Sequence, residues 1–171
     1  LNKFLNQISK ECLVEINSVK TGYADGPVNA ARARLQEGDV DTAVPLLEQA
    51  LELDQGLPRA HFFLGTALRS LGEYEAAMSH LEAARQAYPT DRVVLGQIGR
   101  LYFLQRQFED AISTFEEVLR IDPEDLLAHY NLMLSYRGAG EPERAAAEQL
   151  LYERFKADEA AQAITGPYRL A

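Results

Sequence analysis

The chain has 171 residues, 47% of them hydrophobic, and a formal net charge of −9. This length and apolar content suit one compact domain or one short repeat array. The negative charge argues against nonspecific nucleic-acid binding, which depends on many phosphate contacts by Lys and Arg, and the apolar runs are too short for membrane insertion.

Residues 1–23 are predicted to form one helix. Ser9, Leu13 and Ile16 lie in the register that the second helix of a preceding repeat would occupy, and the start LNKFLNQISK is no secretory signal. Because the chain begins at Leu1 rather than Met, we expect a processed chain or a fragment. Residues 1–23 would then be the second helix of a unit whose first helix precedes Leu1.

From residue 24 the sequence repeats with a period of 34 residues, which is typical of helical repeat arrays. One register contains three glycines and an arginine, at Gly38, Gly72, Arg106 and Gly140. A second register contains four alanines, at Ala43, Ala77, Ala111 and Ala145. The predicted units are a partial repeat at 1–23, then repeats at 24–57, 58–91 and 92–125, a fourth repeat or cap at 126–156, and a helical extension with an extended tail at 157–171.

Each unit is predicted to contain two helices joined by a short turn. Leu64, Leu68 and Leu71 have helical spacing before Gly72, and similar spacing resumes after it. The first helices of the units are expected at 24–37, 58–71, 92–105 and 126–139. The last helix should reach about Ala163, before the tail ITGPYRLA.

Small residues are predicted where the two helices of a unit approach each other. The second helices have Ala43, Ala77 and Ala111 at such places, and the first helices have Ala31, Gly65 and Gly99. The larger Leu47, Leu81 and Phe115 would fill the space beside these contacts.

These registers resemble the tetratricopeptide repeat family from Ala24 to about Arg154. The resemblance implies an all-α fold, a right-handed superhelical solenoid of antiparallel helix pairs. It also implies a scaffold for protein binding, in which the first helices line a concave groove. The atypical first and last units are consistent with capping units.

Catalytic and cofactor motifs are absent from the sequence. It contains no HExxH, Walker-type loop, GxSxG or CxxCH, and its single cysteine, Cys12, excludes a disulfide framework. His61 and His129 occupy equivalent places in their units and are interpreted, with His80, as packing residues. We therefore predict no enzyme activity, no metal site and no cofactor in this segment.

The charges are unevenly distributed between the helices. The four predicted first helices contain seven arginines but only two acids, Asp25 and Glu37. Since the resemblance places first helices inside the groove, it implies a basic groove within an acidic protein. The alternative is that these arginines have no binding role and are solvated residues of exposed helix faces.

The family's geometry implies a peptide-binding groove that holds amide, aromatic and arginine side chains. Amides bond a peptide backbone, aromatic rings give apolar contact, and arginine holds a carboxylate, so an acidic or carboxylate-terminated protein segment fits best. The predicted groove residues are Asn29, Arg32, Phe62, Phe63, Arg69, Gln97, Arg100, Phe103, Tyr130, Asn131 and Arg137. Neither possible frame contains the Lys/Asn/Asn/Lys/Arg clamp of the family's co-chaperone subset.

Two alternatives concern assembly. Units of the array stack on one another, so self-association is a second hypothesis. The C-terminal part, from AHYNLMLSYRGAG onward, is similar to bacterial tetratricopeptide proteins, some of which also carry a multihaem cytochrome c domain. That resemblance implies an electron-transfer assembly in the periplasm or at the cell surface; without it, a cytoplasmic location is expected.

Overall fold

The protein is described by a computed structural model over residues 23–165, with the side chains of residues 23–157. This part of the chain consists of helices and short turns, without strands. The first helix, α1, spans 23–36. The helices that follow are α2 (Val40–Leu53), α3 (Pro58–Leu71), α4 (Tyr74–Ala87), α5 (Arg92–Leu104), α6 (Phe108–Ile121), α7 (Leu126–Ala139) and α8 (Pro142–Thr165).

The chain divides into two compact units, Leu1–Ala87 and Tyr88–Ala171. In the first unit α3 packs on both α2 and α4. In the second unit α5 packs on α6, α6 on α7 and α7 on α8, and α5 also contacts α7. Short turns between consecutive helices make sequential neighbours antiparallel. Each unit therefore contains two helix pairs of the predicted kind.

The turn inside each helix pair contains one residue with positive φ. These residues are Gly38, Gly72, Arg106 and Gly140, with φ of 80°, 83°, 61° and 79°. Glycine adopts this conformation at little cost because it has no Cβ, whereas an arginine there is strained. The 34-residue register therefore marks the helix ends, and the predicted first helices differ from the observed ones by at most one residue at either end.

Two glycines bring the helices of a pair close together, as predicted. A Cβ placed on Gly65 would lie 2.7 Å from Leu81 Cγ and 3.0 Å from the carbonyl oxygen of Ala77. A Cβ on Gly99 would lie 2.7 Å from Cζ of Phe115. Because Leu81 and Phe115 are both buried, the space for an added Cβ is already filled.

A polar network joins three helices of the second unit. The buried Tyr136 of α7 donates its hydroxyl to Glu116 Oε1 of α6 at 2.8 Å. Arg144 of α8 donates to the same oxygen at 3.1 Å, and its guanidinium carbon lies 4.1 Å from the centre of the Tyr136 ring. Burial, followed by the bond to Glu116, raises the pKa of Tyr136 well above its ordinary value.

The C-terminal helix is longer than predicted. It continues to Thr165, past the expected end near Ala163, so the first two residues of ITGPYRLA are helical. The rest of that tail, and the predicted helix at the N-terminus with Cys12, lie outside the described residues. Within residues 23–165, no helix is both long and apolar enough to span a bilayer.

Candidate functional site

The second unit contains an open cavity of about 770 Å³. Side chains of α5, α6, α7 and α8 line it, together with the turn between α6 and α7. Its apolar lining comes from Val93, Phe115, Val118, Leu126, Leu127, Ala128, Tyr152 and Phe155. Val93 is 55% exposed and Leu127 is 59% exposed, so large apolar side chains stand open to solvent in this cavity.

The α5 wall follows from helical spacing. Val93, Gln97 and Arg100 are separated by four and three residues, so they lie on one face of the helix. The opposite face contains the buried Leu95 and Ile98. This places an apolar, an amide and a cationic side chain in one row along the cavity.

Two polar groups of this row have no partner among the described residues. The Gln97 side-chain oxygen is buried and accepts no hydrogen bond. Arg100 has no hydrogen-bond or ion-pair partner among the residues whose side chains are described. A buried carbonyl oxygen without a donor costs free energy, and a bound molecule that supplies an N–H would recover it.

The α7 wall contributes Leu127 and Asn131, one helical turn apart. Asn131 is 9% exposed, and its side-chain nitrogen donates to the carbonyl oxygen of Leu127 at 2.6 Å. Tyr152, Phe155 and Lys156 of α8 complete this side of the cavity. Asn131 therefore joins Gln97 and Arg100 of the predicted groove residues in a single cavity.

The cavity is less basic than the sequence implied. Asp122, Glu124 and Asp125 of the α6–α7 turn line it beside three basic residues. Arg92 forms ion pairs with Asp122 and, at 3.0 Å, with Asp125. Counting charges in the first helices alone missed these carboxylates because they lie just before α7 begins.

The other predicted groove residues of the second unit do not line this cavity. Phe103 packs against the core, and its ring centre lies 5.8 Å from that of Phe108. Tyr130 is 40% exposed and contacts Tyr152, with ring centres 5.5 Å apart. Arg137 donates to the side-chain oxygen of Gln149 at 2.9 Å. Binding roles for these three residues remain predictions.

In the first unit, Asn29 and Arg32 lie on α1. Asn29 accepts a hydrogen bond from Arg59 at 3.1 Å, and Arg59 also pairs with Asp25 at 3.0 Å. Arg32 is exposed. Asn29 is therefore engaged within the protein, whereas Arg32 faces solvent.

The remaining predicted residues of the first unit lie on α3. Phe62 and Phe63 are half-buried, with ring centres 5.3 Å apart in an edge-to-face contact. Arg69 is also half-buried, near the end of the same helix. Their place in a peptide groove remains a prediction.

The histidines form two matched polar pairs. His61 Nδ1 lies 2.9 Å from His80 Nδ1, and its Nε2 lies 2.9 Å from the carbonyl oxygen of Gln55. His129 Nδ1 lies 2.6 Å from Glu148 Oε2, while its Nε2 lies 3.0 Å from a backbone carbonyl oxygen. His129 is buried, but the packing interpretation did not include these hydrogen bonds.

Among the described residues, no group of three or more His, Cys, Asp or Glu side chains could hold a metal ion. His61 and His80 form a pair without a third ligand of that kind. The absence of a cofactor, and of catalysis, remains a prediction from the sequence.

Sequence reasoning missed several cavity residues. Val93 and Leu127 occupy the second place of their units, in the first turn of a helix. An apolar side chain at this place in both units was a signal that could have identified them. Phe155 and Lys156 carried no such signal, since they lie on α8 beyond the region where the repeats align well. Only the packing of α8 beside α7 brings them to the cavity.

Comparison with known families explains the helix pairs. Two family models, each described as "Tetratricopeptide repeat", match residues 28–92 and 93–125, together more than half of the chain. The chain belongs to the tetratricopeptide repeat family. This agrees with the positive-φ turns and the close glycine contacts that recur every 34 residues.

Tetratricopeptide proteins of known sequence match only in part. "Tetratricopeptide repeat protein 34" of Homo sapiens is 27% identical over 101 residues, which is 59% of this chain and 18% of that protein. The chain spans less than a fifth of the length of the curated relatives it matches. The functions of these much longer proteins are therefore not assigned to this chain.

Solved structures share the tetratricopeptide fold. A crystal structure of MamA has a TM-score of 0.75 at 20% identity, covering 81% of each chain. The structure "MamA 41-end from Desulfovibrio magneticus RS-1" has a TM-score of 0.74 at 21% identity, covering 91% of this chain and 95% of that chain. The predicted all-α solenoid of helix pairs is confirmed. The narrower cytochrome-linked resemblance, and the cell compartment that it implies, remain predictions.

Proposed function

We propose that this tetratricopeptide array is a non-catalytic scaffold that binds a segment of another protein in the cavity of its second unit. The observation that supports this most is the exposed pair Val93 and Leu127 beside two unpartnered polar groups. Apolar side chains at the centre of an interface supply much of its free energy, and polar groups fix the orientation of the ligand. The cavity offers both in one place.

The polar groups suit an extended peptide. Gln97 Oε1 accepts a hydrogen bond, and every non-proline residue of a peptide backbone has an N–H to donate. Arg100 supplies a guanidinium that holds a carboxylate through two parallel hydrogen bonds. We therefore propose that the bound segment carries an acidic side chain or a C-terminal carboxylate near Arg100.

The experiment compares two leucines of the second unit. Leu127 lines the cavity, whereas Leu150 is 69% exposed on α8 and lies outside it. We would select ligands from a peptide library with the whole chain and measure their affinity by fluorescence anisotropy. Leu127→Gln should weaken binding about tenfold, as for an interface residue that contributes about 1.4 kcal/mol, and Leu150→Gln should have little effect. Equal affinities for the two variants would exclude the cavity as the binding site.

A further inference from the structure

Charge in the cavity is separated along α5. Arg92 is the first residue of α5, and Arg100 follows eight residues later. At a rise of ~1.5 Å per residue, the two positions are roughly 12 Å apart along the helix axis. A segment bound along α5 would therefore contact these two positions through different residues.

The end of the cavity near Arg92 carries excess negative charge. Asp122 and Asp125 both bind the Arg92 guanidinium, so Arg92 faces two carboxylates. Glu124 lies in the same turn and lines the cavity, and its carboxylate has no hydrogen-bond or ion-pair partner among residues 23–157. Three carboxylates at this end thus outnumber the one guanidinium, which binds two of them.

Lys156 does not neutralise Glu124. Its ammonium nitrogen lies 5.5 Å from the centre of the Tyr152 ring, on the α8 wall of the cavity. Within the described residues it forms no ion pair with a carboxylate. Glu124 is therefore free to attract a cation from a ligand.

The other end of this row carries the opposite charge. Arg100 lies near the C-terminal part of α5, and no described carboxylate pairs with it. A segment with acidic residues alone would be attracted to Arg100 but repelled by the carboxylates of the α6–α7 turn. A segment with basic residues alone would be attracted to those carboxylates but repelled by Arg100. Complementary charges at both ends avoid either repulsion.

We propose that the cavity selects a mixed-charge segment, with an acidic group at Arg100 and a basic group at Glu124. Arg92 marks the acidic end, because two carboxylates of the turn that contains Glu124 bind it. An extended peptide advances about 3.3 Å per residue, so the roughly 12 Å between the Arg92 and Arg100 positions corresponds to about four residues. Apolar residues between the two charges contact Val93 and Leu127. This inference rests on the proposed function and adds a charge spacing to it.

The test uses four fluorescein-labelled peptides with the same leucine-rich centre and blocked ends. One carries Glu followed four residues later by Lys, one has the order reversed, one carries two Glu and one carries two Lys. Both mixed orders are included so that either direction of the bound segment is tested. We expect one mixed peptide to bind the whole chain about fivefold more tightly than either peptide of a single charge sign, as for an exposed ion pair of up to ~1 kcal/mol.

Charge reversal at each end should change the preference in opposite directions. Glu124→Lys should make the peptide with two Glu the tightest ligand, and Arg100→Glu should do the same for the peptide with two Lys. Glu109→Lys provides a control, since Glu109 is exposed on α6, outside the cavity, and its substitution changes the net charge equally. This control should keep the wild-type preference.

The outcomes separate this inference from the proposed function. If no peptide binds, or if Leu127→Gln leaves binding unchanged, both are wrong for this cavity. If the peptides bind through Leu127 but the peptide with two Glu binds as tightly as the mixed ones, the charge spacing is wrong and the binding site stands. The same conclusion follows if Glu124→Lys and Glu109→Lys behave alike.

Discussion

Two glycines three residues apart on α5 have opposite surroundings. A Cβ on Gly99 would meet the ring of the buried Phe115, whereas a Cβ on Gly96 would meet nothing within 4 Å. Substituting Ala at each position therefore distinguishes the effect of packing on stability from the effect of helix propensity. Helix propensity favours Ala over Gly by about 1 kcal/mol in a helix interior.

We expect Gly99→Ala to destabilise the protein, because overpacking a core costs roughly 1–3 kcal/mol and exceeds the gain in propensity. Gly96→Ala should stabilise it by up to about 1 kcal/mol. Urea unfolding of both variants measures the two free energies. An increase in stability from Gly99→Ala would show that Phe115 can move aside and that the close contact does not constrain the helix pair.

Arg106 is the described non-glycine residue with positive φ. A left-handed conformation costs an L-residue about 1–2 kcal/mol, while Arg106 gains only a long contact with the Phe108 ring, at 6.0 Å. Arg106→Gly should therefore raise the free energy of unfolding by about 1 kcal/mol. Gly72→Ala, in the equivalent turn, should lower it by a similar amount. Unfolding curves that move in the same direction for both variants would contradict this explanation.

At the level of the helix pair, α3 and α4 meet through two histidines. His61 donates from Nε2 to the Gln55 carbonyl oxygen, so in the neutral ring Nδ1 accepts the proton of His80 Nδ1. Burial of His80 and, second, the proximity of His61 lower the pKa of His80, while Glu48 acts in the opposite direction. The folded protein therefore favours the neutral form of His80.

This lowered pKa makes stability dependent on pH. The unfolded chain binds a proton at His80 near pH 6.5, whereas the folded chain binds it only at lower pH. The free energy of unfolding should therefore decrease as the pH falls through about 6.5. Thermal melts between pH 7.5 and 5.5 would measure the decrease.

His80→Glu supplies the control, because it recreates the arrangement of His129 with Glu148 in α7 and α8. The variant lacks the imidazole of His80, whose protonation burial opposes, so the acid-induced loss of stability should become smaller than in the parent protein. An identical pH dependence in the variant would show that the histidine pair contributes nothing to it.

At the scale of the whole molecule, the scaffold and assembly hypotheses predict different masses in solution. The net charge of −9 makes copies repel one another, so we expect one chain per particle in the absence of a partner. Light scattering over a range of concentrations at low and physiological salt measures this. A mass that grows with concentration would favour the assembly hypothesis over the scaffold.

Sequence reasoning predicted the helix pairs because their signals are local. A period of 34 residues, helical apolar spacing and a turn glycine each act over a few residues, and the observed helices follow them closely. The close contacts at Gly65 and Gly99 were also predictable, since a residue without a side chain at equal places in successive units indicates a neighbouring backbone or ring.

The cavity and its charges could not be predicted from the sequence, because they depend on contacts between residues that are distant in sequence. Glu124 and Arg100 belong to different elements, and only the packing of α5, α6, α7 and α8 in the second unit places them around one space. In the same way, Asn29 and Arg137 are residue types that suit a peptide groove. Arg59 already binds Asn29, however, and Gln149 already binds Arg137. The sequence could not identify these pairs as neighbours. The sequence by itself determined which fold forms and, to within two residues, where the first helices of the units begin and end and where the last helix ends. Only the tertiary structure decided which polar groups remain available to a ligand, because availability depends on every neighbour in space.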